Sequence, residues 1–289
     1  MVTSGLLAGK VIGITADRRW RDQSDLFEKR GAEIVHGPTM RTVDLSTSEA
    51  LRVATAKLVA HPPTYLLATT GMGMRMWLEA AQGWSQRLTV IESLAATRIM
   101  ARGAKAASAV RAAGLDLWWQ APNETMDEMV DHLAHQEDIG AASVALQLFD
   151  FGQLFDFGQL LDPGASPVAA AIAALGATVL ELPVYQWELP LDQSPAHRLI
   201  DGVVDGRVHA VTFTSQPAVR QLFAMAADRP GGPDALRTAL NGPVLAACVG
   251  EVCAQAGHEL GLTTMVWPDP PRLVAMVRLV TSALTDEAP

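Results

Sequence analysis

The chain has 289 residues, of which 49% are hydrophobic and 18% are charged, and its formal net charge is -9. This length suffices for two domains that each bury a core. The negative charge argues against a protein that coats nucleic acid or an anionic membrane, because both need a broad basic surface. The two cysteines, Cys248 and Cys253, fit neither a CxxC pair nor a disulfide framework, so we expect a reducing cytoplasm.

The most apolar window, Pro167 to Val184, is interrupted by Gly176, Glu181 and Pro183. These interruptions predict an Ala-rich helix, a turn and a strand rather than a membrane span. The N-terminal stretch MVTSGLLAGKVIGIT also lacks the basic start and the small-residue cleavage site of a secretory signal. We therefore expect no association with a membrane.

Short apolar runs rich in β-branched residues alternate with helical segments along the chain. These runs are Lys10 to Thr15, Thr64 to Thr70, Ala142 to Leu148, His209 to Thr214 and Gly242 to Cys248. The alternation predicts α/β units around parallel sheets. Two segments, Ser46 to Glu49 and Thr125 to Glu128, fit the S/T-x-x-E capping box, and each predicts the start of a helix.

Two pairs of segments within the chain resemble each other. They are Leu66 to Leu78 with Val211 to Phe223, and Arg98 to Leu115 with Val244 to Leu262. In the first pair, an apolar strand, two hydroxyl residues and a short turn precede a helix that carries Arg75 or Arg220 at the same place. In the second pair, Gly103 aligns with Gly250. This similarity predicts two related α/β lobes.

The lobes are expected to be interleaved in the sequence. A strand, a helix and a strand lead to Gly37-Pro38, and a similar strand ending arrives only at Leu182-Pro183. If these endings lead into neighbouring connectors, the residues between them form an inserted lobe. The predicted domains are lobe 1 at 1–38 with 187–289, lobe 2 at 44–182, and hinge connectors at 39–43 and 183–186.

Several segments in this order resemble the uroporphyrinogen-III synthase (HemD-like) family. The segments that carry the resemblance are VIGITADRR, TFTSQPAVR, ACVGEVCAQAGHELGL, VYQW and WPDPPRLVAMVRLV. The resemblance implies two flavodoxin-like α/β lobes with parallel sheets, joined by a two-stranded hinge, with the site in the cleft between the lobes.

The resemblance also implies a lyase of haem biosynthesis. Such an enzyme removes water from hydroxymethylbilane, inverts the last pyrrole (ring D) through a spiro intermediate and closes the tetrapyrrole ring. Because the bilane also closes spontaneously without inversion, catalysis is largely the control of conformation. The family needs no metal or cofactor. The expected partner is this small-molecule substrate alone, with no nucleic acid and no membrane, and the expected state is a monomer.

Hydroxyl residues and glycines are predicted to follow the strands where parallel sheets bind anionic ligands. The candidates for binding substrate at strand ends are Thr15, Thr69, Thr70, Gly71, Gly103, Thr214, Ser215, Gln216 and Gly250. The alternative for the Ser and Thr residues is ordinary helix capping, and for Ser215 the two roles are equally weighted and compatible.

Basic residues form two groups in the sequence near these strand ends. Arg18, Arg19 and Arg21 follow the first strand, and Arg98, Arg102 and Lys105 surround the Gly103 turn. Such islands in an acidic protein can focus an anionic substrate, and we take Arg18 and Arg102 as binding candidates. For any single arginine, a solvated helix face is the favoured alternative.

Tyr185 in the PVYQW segment is one of only two tyrosines. It matches the connector tyrosine that the family uses as the proposed assistant to hydroxyl departure. A phenol is protonated at neutral pH and can donate a proton to a leaving oxygen. The alternative is an amphipathic aromatic residue at a lobe interface.

The chain also departs from the family pattern. Family members often carry Thr shortly after the glycines matched by Gly103 and Gly250, whereas here the segments AKA and EVC follow. Hydroxyl donors are thereby lost, and Glu251 would repel a carboxylate. The resemblance also implies an alternative function, because in some relatives a similar pair of lobes precedes a DNA-binding domain and serves as a non-catalytic sensor module of a transcriptional regulator. We expect no basic helical segment after the last predicted helix.

The hexapeptide FDFGQL is repeated directly, at 149–154 and 155–160. It follows the predicted strand that ends at Leu148, and it is expected to be an insertion at the rim of the cleft. Its phenylalanines either form an aromatic lid over the substrate or pack against the lobe, and packing is the favoured interpretation.

Overall fold

A computed structural model describes residues 5–148 and 166–285. The chain divides into two compact units, of which unit 1 comprises Met1–Thr42 with Glu188–Pro289 and unit 2 comprises Val43–Trp187. The boundaries therefore fall after Thr42 and after Trp187. The doubled FDFGQL segment lies outside the described residues.

The described strands and helices alternate along most of the chain. In chain order, the strands are β1 (Val11–Ile14), β2 (Glu33–His36), β3 (Arg41–Asp44), β4 (Tyr65–Ala68), β5 (Arg98–Ala101), β6 (Leu117–Gln120), β7 (Ser143–Leu148), β8 (Thr178–Pro183), β9 (Tyr185–Glu188), β10 (Ala210–Phe213), β11 (Leu245–Cys248) and β12 (Met265–Val266). The helices are α1 (Trp20–Glu28), α2 (Glu49–Ala60), α3 (Gly71–Gly83), α4 (Arg87–Ser93), α5 (Ala104–Ala112), α6 (Met126–Ala134), α7 (Pro167–Ala174), α8 (Ser194–Val204), α9 (Gln216–Ala226), α10 (Gly232–Leu240), α11 (Glu251–Glu259) and α12 (Leu273–Thr285).

Each unit is built on a five-stranded sheet whose neighbouring strands are parallel. The order in unit 1 is β12-β11-β10-β1-β2, and the order in unit 2 is β6-β5-β4-β7-β8. Strands β3 and β9 pair in a separate two-stranded sheet, and the chain passes between the units within these strands. The predicted α/β fold with two parallel sheets is confirmed.

The two sheets have the same order once the chain is permuted. Counted in chain order, the strands of unit 1 lie in the order 2-1-3-4-5, which is the flavodoxin-like arrangement. Unit 2 has the same order when its strands are counted in the sequence β7, β8, β4, β5, β6. The β4–α3 and β5–α5 segments therefore correspond to β10–α9 and β11–α11, as the internal sequence similarity predicted.

The sheet of unit 2 is covered on both faces, as parallel sheets require. Along β4, Leu66 and Ala68 join a core around Trp77 with residues of α2, α3 and α5. The alternate residues Tyr65 and Leu67 face a second core with residues of α6 and α7. Successive side chains of a strand point to opposite faces of the sheet. All four residues are buried because both faces are covered.

The apolar window from Pro167 folds as its interruptions predicted. Helix α7 ends at Ala174, Gly176 adopts a left-handed conformation with φ of 93°, and β8 follows. No helix within the described ranges 5–148 and 166–285 is long and apolar enough to cross a membrane.

One predicted helix start is wrong by two residues. Helix α2 is capped by Ser48, whose hydroxyl accepts a hydrogen bond from the Leu51 amide at 3.2 Å. Ser46 instead donates its amide to the Asp44 carboxylate at 2.8 Å, in a turn that precedes the helix. The short side chain of Asp44 stabilises this turn, and the helix N-cap is therefore Ser48 instead of Ser46.

The second predicted helix start is confirmed. Thr125 accepts a hydrogen bond from the Glu128 amide, and the Glu128 carboxylate accepts one from the Thr125 amide at 3.2 Å. We expect Thr125→Ala to lower the free energy of unfolding by about 1 kcal/mol, because α6 loses its capping hydroxyl. Chemical denaturation of the two proteins measures this difference, and equal midpoints would contradict the assigned role of the cap.

Candidate active site

Most predicted site residues lie directly after the carboxyl ends of parallel strands. The sheet order reverses between β1 and β10 in unit 1 and between β4 and β7 in unit 2, and open α/β sheets bind ligands beside such reversals. The candidates that follow a strand are Thr15, Thr69, Thr70, Gly71, Arg102, Gly103, Thr214, Ser215, Gln216 and Gly250. Arg18 lies between β1 and α1, and Tyr185 begins β9.

Thr70 connects the first turn of α3 to Tyr185. Its hydroxyl accepts a hydrogen bond from the Gly73 amide at 3.0 Å, which caps the helix. The Tyr185 hydroxyl donates to the same Thr70 oxygen at 3.2 Å. Tyr185 is only 1% exposed, so burial and this contact together fix the phenol. Capping and a contact with the candidate catalytic residue therefore coexist at Thr70.

Thr69 is held by a glutamine that the sequence did not indicate. The Thr69 hydroxyl donates to the main-chain oxygen of Gln147 at 2.9 Å. The side-chain oxygen of Gln147 accepts hydrogen bonds from the amides of Thr69 and Thr70, each at 3.1 Å. In the sequence, the only signal was a polar residue within the buried strand ASVALQL. The hydroxyl of Thr69 thus ties β4 to β7.

The exposed carboxylate of Glu124 caps α5 beside Arg102. Glu124 accepts a hydrogen bond from the Ala104 amide at 3.0 Å, in place of the hydroxyl that the sequence lacks there. A side chain at Gly103 would approach this carboxylate to 2.6 Å, so the glycine makes room for it. Burial lowers the pKa of Arg102, and the proximity of Tyr185 and Glu124 opposes that effect. Arg102 is therefore a half-buried cation near the Tyr185 phenol.

The hydroxyl groups of unit 1 differ in accessibility. Thr15 is fully buried, and its hydroxyl donates to the main-chain oxygen of Thr212 at 2.8 Å. Ser215 caps α9 by accepting a hydrogen bond from the Ala218 amide. Thr214 and Gln216 are half-buried beside it. Thr15 thus supports the sheet through its side chain, whereas the three residues at the start of α9 face partly outward.

The predicted group of basic residues around Gly103 is wrong for Arg98. Arg98 begins β5 and Arg102 follows its last residue, so the strand separates them by about 13 Å. Arg98 instead pairs with Asp138 and lies over the ring of Tyr65 at 4.2 Å from its centroid. These contacts lie at the amino end of the sheet, away from the candidate site.

The other basic group is exposed, with Arg18 and Arg19 in the turn before α1 and Arg21 in the first turn of that helix. Arg18, Arg19 and Arg21 are exposed, and Arg19 pairs with Asp22 at 2.7 Å. Arg21 lies 5.0 Å from the ring of Trp20. Of this group, Arg18 remains the candidate for binding substrate.

His36 stacks on Trp20 beside this turn, with ring centroids 4.0 Å apart. Burial lowers the pKa of His36 from its ordinary value of 6.5, against the contact with the Ala16 carbonyl and the charge of Asp17. The His36 imidazole therefore binds a proton more readily in the unfolded chain than in the folded one. The free energy of unfolding consequently falls as the pH drops below about 6.5.

We expect acidification from pH 7.5 to 5.5 to lower the melting temperature of the wild type more than that of His36→Gln. The physical reason is that only the wild type has to protonate the half-buried imidazole of His36, whereas the other histidines are the same in both proteins. Thermal unfolding of both proteins at the two pH values measures the difference. An equal drop in both proteins would contradict the assigned effect of His36.

The cysteines do not form a reactive centre in unit 1. Cys248 and Cys253 are both free and buried. The contact with Cys248 and burial raise the pKa of the Cys253 thiol, so the thiol form is favoured over the nucleophilic thiolate. Within 5–148 and 166–285, no three His, Cys, Asp or Glu side chains are grouped so as to hold a metal ion.

The chain is thus a two-unit α/β protein with flavodoxin-like parallel sheets and polar strand ends. The model of the family described as "Uroporphyrinogen-III synthase HemD" matches residues 22–148 and 162–278, which covers parts of both units. The chain belongs to the uroporphyrinogen-III synthase family, and the resemblance identified from the sequence is confirmed.

Solved structures of this family are similar over almost the whole chain. A mutant uroporphyrinogen III synthase from Thermus thermophilus is 29% identical with a TM-score of 0.74, and the match covers 96% of this chain and 100% of that one. The wild-type enzyme in another crystal form is 30% identical with a TM-score of 0.65, over 96% and 99%. Protein YjjA of Bacillus subtilis, described as uncharacterized, is 26% identical over 271 residues, which are 94% of each chain.

Proposed function

We propose that the chain is a uroporphyrinogen-III synthase that cyclises hydroxymethylbilane with loss of water and inversion of ring D. The observation that carries this proposal is the Tyr185 hydroxyl, held 3.2 Å from Thr70 at the strand-order reversal of unit 2. Membership of the family across both units supports it. The elimination needs an acid for the leaving hydroxyl, and a protonated phenol supplies one at neutral pH.

The contacts around Tyr185 suggest how the acid works. The Tyr185 hydroxyl turns its hydrogen from Thr70 to the substrate hydroxyl and transfers the proton as the carbon–oxygen bond breaks, so water leaves and a phenolate and a carbocation remain. The phenolate is stabilised by the nearby charge of Arg102 and by the hydrogen that Thr70 can donate. The proton released when the ring closes restores the phenol.

Each unit is proposed to bind substrate carboxylates at the carboxyl edge of its own sheet. In unit 2 the groups are the amides after Thr70 and Gly103 and the charge of Arg102, where a substrate carboxylate has to displace Glu124 from α5. In unit 1 the groups are the residues at the starts of α9 and α11, and a flanking arginine. They are Thr214, Ser215, Gln216, Gly250 and Arg18.

The chain is further proposed to act as a cytoplasmic monomer that binds no nucleic acid. Its net charge of -9 and its two buried free cysteines support this part of the proposal. Light scattering after size-exclusion chromatography measures the molar mass, and a mass near twice 30.8 kDa would contradict the monomer.

Growth of a bacterial strain that lacks its own uroporphyrinogen-III synthase tests the function in cells. The full chain is expected to restore haem-dependent respiratory growth, and the Tyr185→Phe chain at equal abundance is expected to restore it poorly. If the wild-type chain at normal abundance does not restore growth, the proposed enzymatic activity is contradicted and the non-catalytic sensor function is favoured. Immunoblots establish that the two chains accumulate equally.

A further inference from the structure

Gln147 is a fully buried amide in β7, next to the strand-order reversal of unit 2. Its side-chain oxygen accepts hydrogen bonds from two consecutive amides, those of Thr69 and Thr70, each at 3.1 Å. The Thr69 hydroxyl also lies 3.3 Å from this oxygen. One side chain therefore holds the backbone at the point where β4 ends and α3 begins.

The turn that Gln147 holds also determines where the Thr70 hydroxyl lies. Two contacts converge on that hydroxyl, from the Gly73 amide at 3.0 Å and from the Tyr185 phenol at 3.2 Å. A change in the Thr70 backbone moves the acceptor of the Tyr185 hydrogen bond. Gln147 thus acts on Tyr185 through Thr70, although none of its described hydrogen bonds is with Tyr185 itself.

The other end of the same amide meets no hydrogen-bond partner within residues 5–148 and 166–285. The side-chain nitrogen of Gln147 is buried without a hydrogen-bond partner among the described residues, and a side chain added at Gly73 would approach it to 2.7 Å. A buried unpaired donor is destabilising, and an aliphatic residue would avoid it in this strand. The oxygen of Gln147 accounts for the presence of an amide here, because an aliphatic side chain offers no acceptor to the two backbone amides.

We propose that Gln147 is a positioning residue for the cyclisation, which orients the Tyr185 phenol through Thr70. This inference rests on the proposed function. Misplacement of an acid by a fraction of an ångström slows a reaction much more than it weakens substrate binding. Loss of Gln147 therefore lowers kcat more than it raises KM, which rises because the amides after Thr70 also belong to the proposed binding groups.

A double-mutant cycle with Tyr185 tests the proposal, with type III product from hydroxymethylbilane as the readout. Gln147→Leu is expected to lower kcat about 30-fold and to raise KM by a clearly smaller factor. In a Tyr185→Phe background the same change is expected to lower kcat less than about 2-fold, because the group it positions is gone. Gln147→Glu keeps the acceptor oxygens and is expected to retain kcat within about 3-fold.

The controls separate positioning from folding. Gln221→Leu is the matched control. Gln221 is also buried but lies on α9 of unit 1, so this variant is expected to leave kcat unchanged. Circular dichroism establishes that each variant is folded, and Gln147→Met replaces Gln147→Leu in the cycle if the latter does not fold. The inference about Gln147 would be overturned if the effects of Gln147→Leu and Tyr185→Phe on kcat were fully additive, or if Gln147→Glu and Gln147→Leu lost kcat equally. Either result would leave the proposed function standing. A wild type that forms no type III product would overturn the proposed function and this inference together.

Discussion

Tyr185→Phe is expected to lower kcat for type III uroporphyrinogen about 100-fold without unfolding the protein. The phenol supplies the proton for the departing hydroxyl, and a positioned general acid contributes about that factor or more. Phenylalanine keeps the buried ring and removes only the oxygen that meets Thr70. Initial rates are measured by chromatography of the product isomers, after subtraction of the spontaneous type I product.

The second tyrosine provides a matched control. Tyr65 is buried in the same unit, and its hydroxyl donates to the Asp138 carboxylate at 2.6 Å. Burial and this hydrogen bond raise the pKa of Tyr65 to about 12. Because Tyr65 begins β4 at the opposite end of the sheet, Tyr65→Phe is expected to reduce stability by about 1 kcal/mol and leave kcat unchanged. Equal kcat values for Tyr185→Phe and the wild type would remove Tyr185 from the mechanism.

Gly71→Ala is expected to lower the free energy of unfolding by about 3 kcal/mol. A side-chain carbon at Gly71 would lie 2.2 Å from the main-chain oxygen of Lys105 in α5. Backbone atoms cannot rotate away as a flexible side chain does, so α3 and α5 have to separate. The separation also moves the candidate binding groups at the starts of both helices, and we expect KM to rise.

Gly83, at the end of the same helix, is the control for this change. Apart from its chain neighbours and its own helix backbone, no atom of the described residues lies within 4 Å of a side-chain carbon added there, and the residue is exposed. Gly83→Ala is therefore expected to be neutral or slightly stabilising, because alanine favours the helix more than glycine does. Urea denaturation of both variants makes the comparison, and similar stabilities of the two would contradict the close approach of α3 to Lys105.

Local sequence patterns predicted the elements and the similarity of the units well. The apolar runs that gave β1, β4, β7, β10 and β11 are buried strands, in which composition and burial agree. The paired segments at Leu66 and Val211 predicted equivalent strand positions, because hydroxyl residues after a strand and an arginine on the next helix recur at the same spacing. The helix start predicted at Ser46 was wrong, because the Asp44 carboxylate accepts the hydrogen bond of the Ser46 amide in a competing turn.

The detailed contacts of the candidate site depend on residues far apart in the sequence. Tyr185 lies 115 positions from Thr70, and Gln147 lies 77 positions from it, so no local pattern indicates either hydrogen bond. The carboxylate of Glu124 reaches α5 from a different loop, 20 positions away. Arg98 was misplaced because spacing in sequence does not show on which end of a strand a side chain lies. Only the packing of the folded strands determines these pairs.

The isomer composition of the product tests the central claim most directly. The purified 289-residue chain is mixed with freshly prepared hydroxymethylbilane, and the uroporphyrinogens are oxidised and resolved by chromatography. We predict that type III predominates and that its rate of formation is proportional to the concentration of the chain. Only the type I isomer, formed at the spontaneous rate whatever the amount of protein, would contradict the assignment of this chain as a uroporphyrinogen-III synthase.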